Sequence, residues 1–193
     1  MNSLPKILAF AGSTRKDSFN KNLVRIAANG ARKAGAEVTL VDLSDYLLPL
    51  FDQDYEIKEG QPEEAKRLKK LMIENDGFLI SSPEYNSSIS GVLKNTIDWV
   101  SRPVEGEAPL IAFTGKIVTL MSASPGGLGG LRGLVHVRSI LSNLGMIVLP
   151  EQTAIPNAHE AFSPDGSLKD SRKQTKVLEL GKGLVEIIKK FHP

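Results

Sequence analysis

The chain contains no cysteine, and only three of its 193 residues are histidine. Without thiols it forms no disulfide, holds no iron–sulfur cluster through thiolates and has no cysteine nucleophile. His136, His159 and His192 lie far apart, without the spacing of a metal site or of a Ser-His-Asp triad. We therefore expect no metal site and no triad chemistry, and the lack of cysteine favours a cytoplasmic protein.

Long apolar runs and blocks of one charge are also missing. No stretch approaches the roughly 18 apolar residues of a membrane span, and the amino terminus leads into a strand without the pattern of a signal peptide. The net charge is only +2, and the lysines and arginines are scattered, without the basic stripe that nucleic-acid binding requires. We expect one domain over residues 1–193, with no membrane span and no nucleic-acid partner.

Strand and helix patterns alternate along the chain. Short apolar runs predict five strands, at 7–11, 37–42, 77–82, 117–121 and 146–149. Helical spacing follows each of them, although residues 43–61 are predicted to form a long connection before a helix that begins at Pro62. The alternation predicts an α/β three-layer sandwich, with helices on both faces of a five-stranded parallel sheet. The expected strand order is 2-1-3-4-5, as in flavodoxin-like folds.

The loop after the first strand is the clearest candidate for a binding site. Residues 12–20 read Gly-Ser-Thr-Arg-Lys-Asp-Ser-Phe-Asn, and a long helical pattern follows. A turn that leads into a helix N-terminus presents unpaired backbone N–H groups and the positive end of the helix dipole, which together favour an anion. The short side chains of Ser13, Ser18 and Asn20 add hydrogen-bonding groups. Arg15 adds a guanidinium whose N–H groups match phosphate oxygens.

Glycine spacing indicates which kind of phosphate this loop suits. A nucleoside triphosphatase needs Gly-x-x-x-x-Gly-Lys-Ser/Thr, and a Rossmann dinucleotide site needs Gly-x-Gly-x-x-Gly; neither motif occurs. In the glycine-rich segment 126–133, Arg132 stands where the third glycine would be. A loop of serines with one arginine therefore suits a terminal monophosphate better than a diphosphate.

Two further loops are expected beside the first. In the order 2-1-3-4-5 the connections change direction between strands one and three, and ligands bind above that point. The loop after the third strand, residues 82–87, contains the aromatic ring of Tyr85, and the loop at 122–130 is rich in glycine. Glycines leave backbone amides uncovered, which allows a flat ring to approach. The sequence thus predicts a ligand with a phosphate tail and a planar ring.

Together these loops resemble the NADPH-dependent FMN reductase family. The resemblance rests on Gly12-Ser13-x-Arg15-x-x-Ser18-x-Asn20, on Pro83-Glu84-Tyr85-Asn86 and on Gly91-Val92-Leu93-Lys94-Asn95-x-Ile97-Asp98-Trp99, and it extends from Lys6 to about Pro150. This flavodoxin-fold family includes quinone, chromate and azo-dye reductases. The resemblance implies FMN as cofactor, NADPH or NADH as hydride donor, a small-molecule electron acceptor, and a homodimer or homotetramer.

The resemblance also implies which residues bind FMN. The phosphate and ribityl chain would be held by Ser13, Arg15, Ser18, Phe19 and Asn20. The ring would be bordered by Pro83, Glu84, Tyr85 and Asn86, and on its other edge by Ser124, Gly126 and Gly127. No side chain is assigned a catalytic role, because the flavin carries the chemistry in a ping-pong cycle. The roles of Asp98 and Arg102 are left open, and Trp99 is expected in the core or at a subunit interface.

Other functions fit parts of the sequence. A flavodoxin-type electron carrier would share the fold without nicotinamide turnover, although flavodoxins tend to be strongly acidic. A Rossmann-type NAD(P) dehydrogenase is suggested by Asp42, which stands at the end of the second strand where a ribose-binding acid would lie; the missing glycines oppose it. A flavin-binding sensor is a third possibility. The electron acceptor cannot be read from the sequence, because its pocket is expected to depend on residues 49–61 and 102–115.

Overall fold

A parallel sheet of five strands forms the middle layer of the fold. The structure is a computed structural model that describes residues 4–191. Its strands are β1 (Lys6–Ala11), β2 (Glu37–Val41), β3 (Gly77–Ser81), β4 (Glu84–Tyr85), β5 (Ser88–Ile89), β6 (Ile117–Ala123) and β7 (Ile147–Ile155). The sheet order is β2-β1-β3-β6-β7 with every neighbouring pair parallel, while β4 and β5 form a separate antiparallel hairpin. Apart from the hairpin, this is the predicted order 2-1-3-4-5, and the flavodoxin-like fold is confirmed.

Helices cover both faces of the sheet. They are α1 (Phe19–Lys33), α2 (Gln53–Glu59), α3 (Glu63–Glu74), α4 (Gly91–Val100), α5 (Leu131–Asn143), α6 (Ala158–Ala161) and α7 (Ser171–Phe191), with a short 3₁₀ turn at Leu43–Asp45. One core lies between the sheet and the pair α1 and α7, and a second lies between the sheet and α3, α4 and α5. Within residues 4–191, none of the helices combines the length and the apolar character needed to cross a membrane.

Alternation along β1 explains how one strand serves two cores. Ile7 and Ala9 belong to the core under α1 and α7, whereas Leu8 and Phe10 belong to the core on the opposite face. Successive side chains of a strand point to opposite faces, so a strand buried on both sides is apolar throughout. The short apolar runs in the sequence are therefore typical of interior strands of a parallel sheet.

Two glycines bring α1 and α7 into close contact. A Cβ atom at Gly30 would lie 2.0 Å from the carbonyl oxygen of Leu178, and one at Gly181 would lie 1.9 Å from that of Ala27. Any side chain at either position would push the two helices apart. This tight pair fixes α1 against the sheet, and with it the loop that precedes α1.

The structure corrects two of the sequence predictions. Residues 43–61 are not a continuous connection, because they contain the 3₁₀ turn and α2. The helix α2 is capped by Asp52, whose carboxylate accepts hydrogen bonds from the backbone N–H groups of Asp54 and Tyr55. The last strand continues past the predicted end at residue 149 and reaches Ile155. Pro150 does not end it, since over residues 4–191 β7 is an edge strand whose one partner is β6.

Candidate functional site

Three loops meet at the carboxyl edge of the sheet. They are the first loop (residues 12–18), the hairpin loop (82–90) and the glycine loop (124–130). Backbone hydrogen bonds fix the start of each loop to the next strand end: Gly12 N to Ser81 O (2.9 Å), Ser82 N to Met121 O (2.8 Å) and Ser124 N to Ile155 O (3.1 Å). The three segments singled out in the sequence therefore lie side by side, as expected for strands in this order.

The first loop presents hydrogen-bond donors that the protein leaves unused. Ser18 occupies the N-cap position of α1, but its side chain makes no capping hydrogen bond, and the first turn of α1 has no acidic residue. Among the described residues, the backbone N–H groups of 16–20 have no protein acceptor. Arg15 is exposed and forms no ion pair within residues 4–191. The free N–H groups, the helix dipole and the guanidinium together make a site for an anion.

Two predicted binding residues have side chains that face the protein. Asn20 is 4% exposed. Its Nδ2 donates to Ala123 O (2.8 Å), and its Oδ1 accepts from Ser81 Oγ (2.8 Å) and from Ala123 N (2.9 Å). The ring of Phe19 stacks on Phe162, with centroids 5.8 Å apart. Asn20 therefore ties α1 to the ends of β3 and β6, a role the sequence analysis missed, and both residues retain free backbone N–H groups at the start of α1.

The hairpin loop places Tyr85 at the surface of the site. Asn86 and Ser87 have φ angles of 51° and 66°, the two-residue turn typical of tight hairpins, and asparagine adopts this conformation readily. Tyr85 is 51% exposed, and Pro83 before it is buried. The sequence predicted a loop at residues 82–87, and the structure forms a hairpin there. The Asn-Ser pair was the local signal that could have revealed the hairpin.

Glu84 holds the hairpin against the start of α5. Its Oε1 accepts hydrogen bonds from Arg132 Nε (3.0 Å) and Nη2 (2.7 Å), and its Oε2 accepts one from Gly133 N (3.0 Å). The Glu84 side chain is 8% exposed. Partial burial by itself raises the pKa of Glu84, but the hydrogen bonds from Gly133 and Arg132 outweigh it, and the net shift is downward. The carboxylate thus supplies the N-terminal cap that α5 lacks at Gly130.

Two kinds of glycine occur in the glycine loop. Gly130 has a φ of 92°, and a Cβ atom there would lie 1.9 Å from Ser122 Oγ, so this position requires glycine. Gly126 and Gly127 are exposed and have no such conflict. Ser124 Oγ accepts a hydrogen bond from Gly126 N (3.3 Å). The carbonyl of Gly126 accepts from Gly129 N (3.1 Å) and Asn157 N (3.4 Å), so both backbone groups of Gly126 are used within the protein. Of these two predicted binding residues, Gly127 is the one whose backbone N–H has no acceptor among the described residues.

Residues 49–61 and 102–115 contact each other through Arg102. Its Nε lies 2.9 Å from both carboxylate oxygens of Glu56, and its guanidinium lies 5.2 Å from the centroid of the Phe51 ring. Trp99 is fully buried and donates from Nε1 to Pro49 O (2.8 Å). Trp99 therefore belongs to the core and offers no surface to a second subunit. Asp98 pairs with Lys94 one turn earlier on α4.

Asp42, the residue that suggested a dehydrogenase, is bound within the protein. Its Oδ2 lies 2.6 Å from Lys21 Nζ, and its Oδ1 accepts from Ser44 N (3.0 Å). Partial burial by itself raises the pKa of Asp42. The hydrogen bonds from Lys21 and Ser44 lower the pKa by more than burial raises it, so the net shift is downward. The Asp42 carboxylate is thus occupied by an ion pair with Lys21. A dehydrogenase needs an unpaired carboxylate at this position to bind the ribose hydroxyls, so the ion pair opposes that interpretation.

The histidines are not assembled into a site in the part of the chain that the structure describes. His136 Nδ1 lies 2.9 Å from Ser88 Oγ, and His159 Nε2 lies 3.5 Å from Glu160 Oε1. His192 is outside the described residues. Over residues 4–191, no group of three or more His, Cys, Asp or Glu side chains is placed to hold a metal ion.

Comparison with known proteins gives concordant results. Residues 5–160 match the family model described as NADPH-dependent FMN reductase. An NAD(P)H-dependent FMN reductase of Pseudomonas aeruginosa is 35% identical over 169 residues, which are 86% of this chain and 86% of that protein. A probable NADPH:quinone oxidoreductase of Oryza sativa subsp. japonica is 34% identical over 170 residues, 86% of this chain and 79% of that one.

A solved structure shows the same relationship. The flavoenzyme NAD(P)H:(acceptor) oxidoreductase FerB of Paracoccus denitrificans superposes with a TM-score of 0.80 at 30% identity, covering 98% of this chain and 99% of that one. The family match spans the first loop, the hairpin loop and the glycine loop. The chain therefore belongs to the NADPH-dependent FMN reductase family and is an FMN- and NAD(P)H-dependent oxidoreductase.

Proposed function

We propose that the chain passes a hydride from NAD(P)H to FMN bound across the three loops, and then passes electrons to a small acceptor in a ping-pong cycle. Quinones are the leading acceptor class, with azo compounds, chromate and free flavin as alternatives. The observation that carries the proposal is the set of unused donors in the first loop, beside two loops in which Tyr85, Gly126 and Gly127 are exposed. FMN supplies both the hydride acceptor and, once reduced, the electron donor.

The first loop would hold the phosphate of FMN. Ser13 and Ser18 stand in the loop before α1; within residues 4–191 the backbone N–H groups of 16–20 are free, and Arg15 adds a cation that has no ion-pair partner there. The Ser13 hydroxyl also accepts a hydrogen bond from Arg15 N (3.3 Å). A dianionic monophosphate gains from hydrogen bonds, from the helix dipole and from direct charge attraction. The contribution of Asn20 would come from its backbone N–H, since its side chain joins the strand ends.

The hairpin and glycine loops would hold the ring. Residues 83–86 would form one border, with the exposed ring of Tyr85 available for stacking, and Ser124, Gly126 and Gly127 would form another. Backbone N–H groups of an exposed glycine loop can donate to the carbonyl oxygens of the ring and stabilise the negative charge that develops there. The Glu84 carboxylate would act indirectly, by keeping the hairpin in place.

An open ring face would serve both half-reactions. Tyr85, Gly126 and Gly127 are all exposed, so the region assigned to the ring is not closed over. Nicotinamide and acceptor would then bind the same face in turn, which accounts for a ping-pong order. We further propose a homodimer or homotetramer, to be checked by light scattering of the purified protein.

Anaerobic reduction of the FMN-loaded protein tests the proposal. Excess NADPH or NADH is mixed with the FMN-loaded protein while the 450 nm absorbance band of the flavin is recorded. Benzoquinone is then added. We expect rapid bleaching of the flavin band, and its recovery when the quinone is added. In separate steady-state measurements, double-reciprocal plots of rate against nicotinamide concentration at several quinone concentrations should give parallel lines. A protein that binds FMN but is bleached by neither nicotinamide would be an electron carrier or a sensor, and the reductase proposal would be wrong.

A further inference from the structure

A cavity remote from the three loops lies between β7 and α7. Its volume is about 370 Å³, which is in the range of sites for small organic molecules. The walls are aliphatic, formed by Leu149 of β7 and by Leu180, Leu184 and Ile187 of α7, and Thr119 of β6 lies at the floor. No residue of this cavity belongs to the proposed flavin site.

An irregularity in the edge strand coincides with this cavity. Val118 of β6 pairs with Val148, but Leu120, two residues later, pairs with Gln152, four residues later in β7. Residues 149–151 of β7 therefore stand opposite the single residue Thr119. Such bulges bend a strand away from regular pairing and are frequent beside functional sites. Leu149 and Glu151, both within this irregular segment, line the cavity together with Thr119.

Thr119 provides a buried polar group at the floor of the cavity. The residue is 1% exposed, and within residues 4–191 its Oγ1 has no hydrogen-bond partner. Ile117 and Met121, on either side of Thr119, lie in the core under α1 and α7, so alternation points Thr119 toward α7 as well. A buried hydroxyl without a partner is unfavourable, and it can both donate and accept. A ligand oxygen would satisfy it.

Charges at the rim restrict the ligand further. The rim carries Glu151, Glu179 and Glu186 against one cation, Lys176. Although Lys182 pairs with Glu179 and Glu186 from outside the lining, acidic groups still predominate at the entrance. A carboxylate or phosphate ligand would meet unfavourable potential there, whereas an uncharged molecule would not.

We propose that this cavity binds a small uncharged molecule with an apolar body and one hydroxyl or carbonyl oxygen, held by a hydrogen bond to Thr119 Oγ1. The aliphatic walls take the apolar body, and the acidic rim selects against anions. This site is independent of the flavin reaction, and its test needs no activity measurement.

Gly183 allows the cavity to be filled without disturbing the core. It lines the cavity within α7, and a Cβ atom at this position meets nothing within 4 Å. Gly183→Leu places an aliphatic side chain in the space that the ligand would use. Gly183→Ala is the matched control, because it removes the glycine without filling the cavity, and both changes favour the helix. Thr119→Val removes the hydroxyl and keeps the shape.

The probe is 4-propylphenol, titrated into the full chain with and without FMN and followed by methyl NMR, with 4-propylbenzoate as the matched anion. We expect saturable shifts at Leu149, Leu180 and Leu184 with the phenol, and binding of the anion at least tenfold weaker. Gly183→Leu should abolish the shifts while Gly183→Ala retains them, and Thr119→Val should weaken binding about fivefold. Unchanged methyl signals in the core on the other face of the sheet would confirm that each variant is folded.

Three results would overturn the proposal. They are the absence of saturable shifts up to the solubility limit of the phenol, equal shifts in Gly183→Leu, and equal affinity for the two probes. A fourth result, equal affinity of the wild type and Thr119→Val for the phenol, would also overturn the proposal, because it would exclude the hydrogen bond to Oγ1 on which the stated ligand class depends.

Discussion

Replacing Arg15 by alanine should weaken FMN binding without affecting the fold. The guanidinium is exposed and has no ion pair or side-chain hydrogen bond within residues 4–191, so its removal breaks no polar interaction of the folded protein there. A hydrogen bond to a charged group contributes about 1.5–3 kcal/mol. At about 1.4 kcal/mol for each factor of ten, FMN affinity should fall by about 10- to 150-fold. The free energy of unfolding of the apoprotein should change by less than about 0.5 kcal/mol.

Riboflavin makes this prediction specific to the phosphate. It has the ring and the ribityl chain of FMN but no phosphate, so Arg15→Ala should leave its affinity unchanged. Affinities are measured by titrating apoprotein into each flavin and following flavin fluorescence, at low and at raised salt. The loss should shrink as salt rises, because screening weakens an exposed charge pair. Arg172→Ala, another exposed arginine at the start of α7, is the control and should bind both flavins normally.

Two results would refute the reasoning. Unchanged FMN affinity would show that Arg15 does not contact the phosphate. Equal losses for FMN and riboflavin would show that the variant damages the ring site or the fold, and the assignment of the first loop to the phosphate would then lack support.

Three other variants test groups that position the loops. Asn20→Ala should lower the free energy of unfolding of the apoprotein by about 3 kcal/mol, because three buried hydrogen bonds are lost. The control, Asn29→Ala on the exposed side of α1, should change this free energy little. Similar values for the two variants would contradict the role of Asn20. Glu84→Gln should cost about 1–2 kcal/mol at pH 7 in urea unfolding. Because the folded-state pKa of Glu84 is lowered, its stabilisation is complete above the ordinary value of 4.5 and is lost as the pH falls below it. The difference between wild type and Glu84→Gln should therefore shrink in acid, and a difference independent of pH would exclude the carboxylate as its cause. Gly130→Ala should lower the melting temperature, because the φ of 92° is unfavourable for alanine and the new Cβ atom would lie 1.9 Å from Ser122 Oγ. Gly127→Ala, whose Cβ atom meets no such neighbour, should leave the melting temperature unchanged. Equal melting temperatures would contradict the distinction between these glycines.

The fold could be predicted where the local pattern and the tertiary structure agree. The interior strands β1, β3 and β6 could be predicted because they are buried on both faces and their sequences are mostly apolar. The edge strands β2 and β7 are only partly buried, and their shorter apolar runs were sufficient to indicate a strand but not the full length of β7. Helix α2 was missed because none of its residues is buried, so that it has no apolar stripe, and Asp52 at its N-cap was the main signal. The extension of β7 through Pro150 was missed because a proline normally ends a strand, and only its edge position permits it.

Within the candidate site, the sequence identified polar groups but could not identify their partners. Arg15, Asn20 and Glu84 were all candidates for contact with FMN. Asn20 is hydrogen-bonded to a residue 103 positions away in the sequence, and Glu84 to one 48 positions away. No local sequence pattern reveals partners at such separations. Arg15, by contrast, has no ion-pair partner within residues 4–191. Variants of these residues should therefore fail in different ways. Loss of Arg15 should lower FMN affinity in a stable apoprotein, whereas loss of Asn20 or Glu84 should destabilise the apoprotein before any flavin is added. Unfolding of the apoprotein, measured before any flavin titration, thus separates the groups that bind the cofactor from those that position the loops.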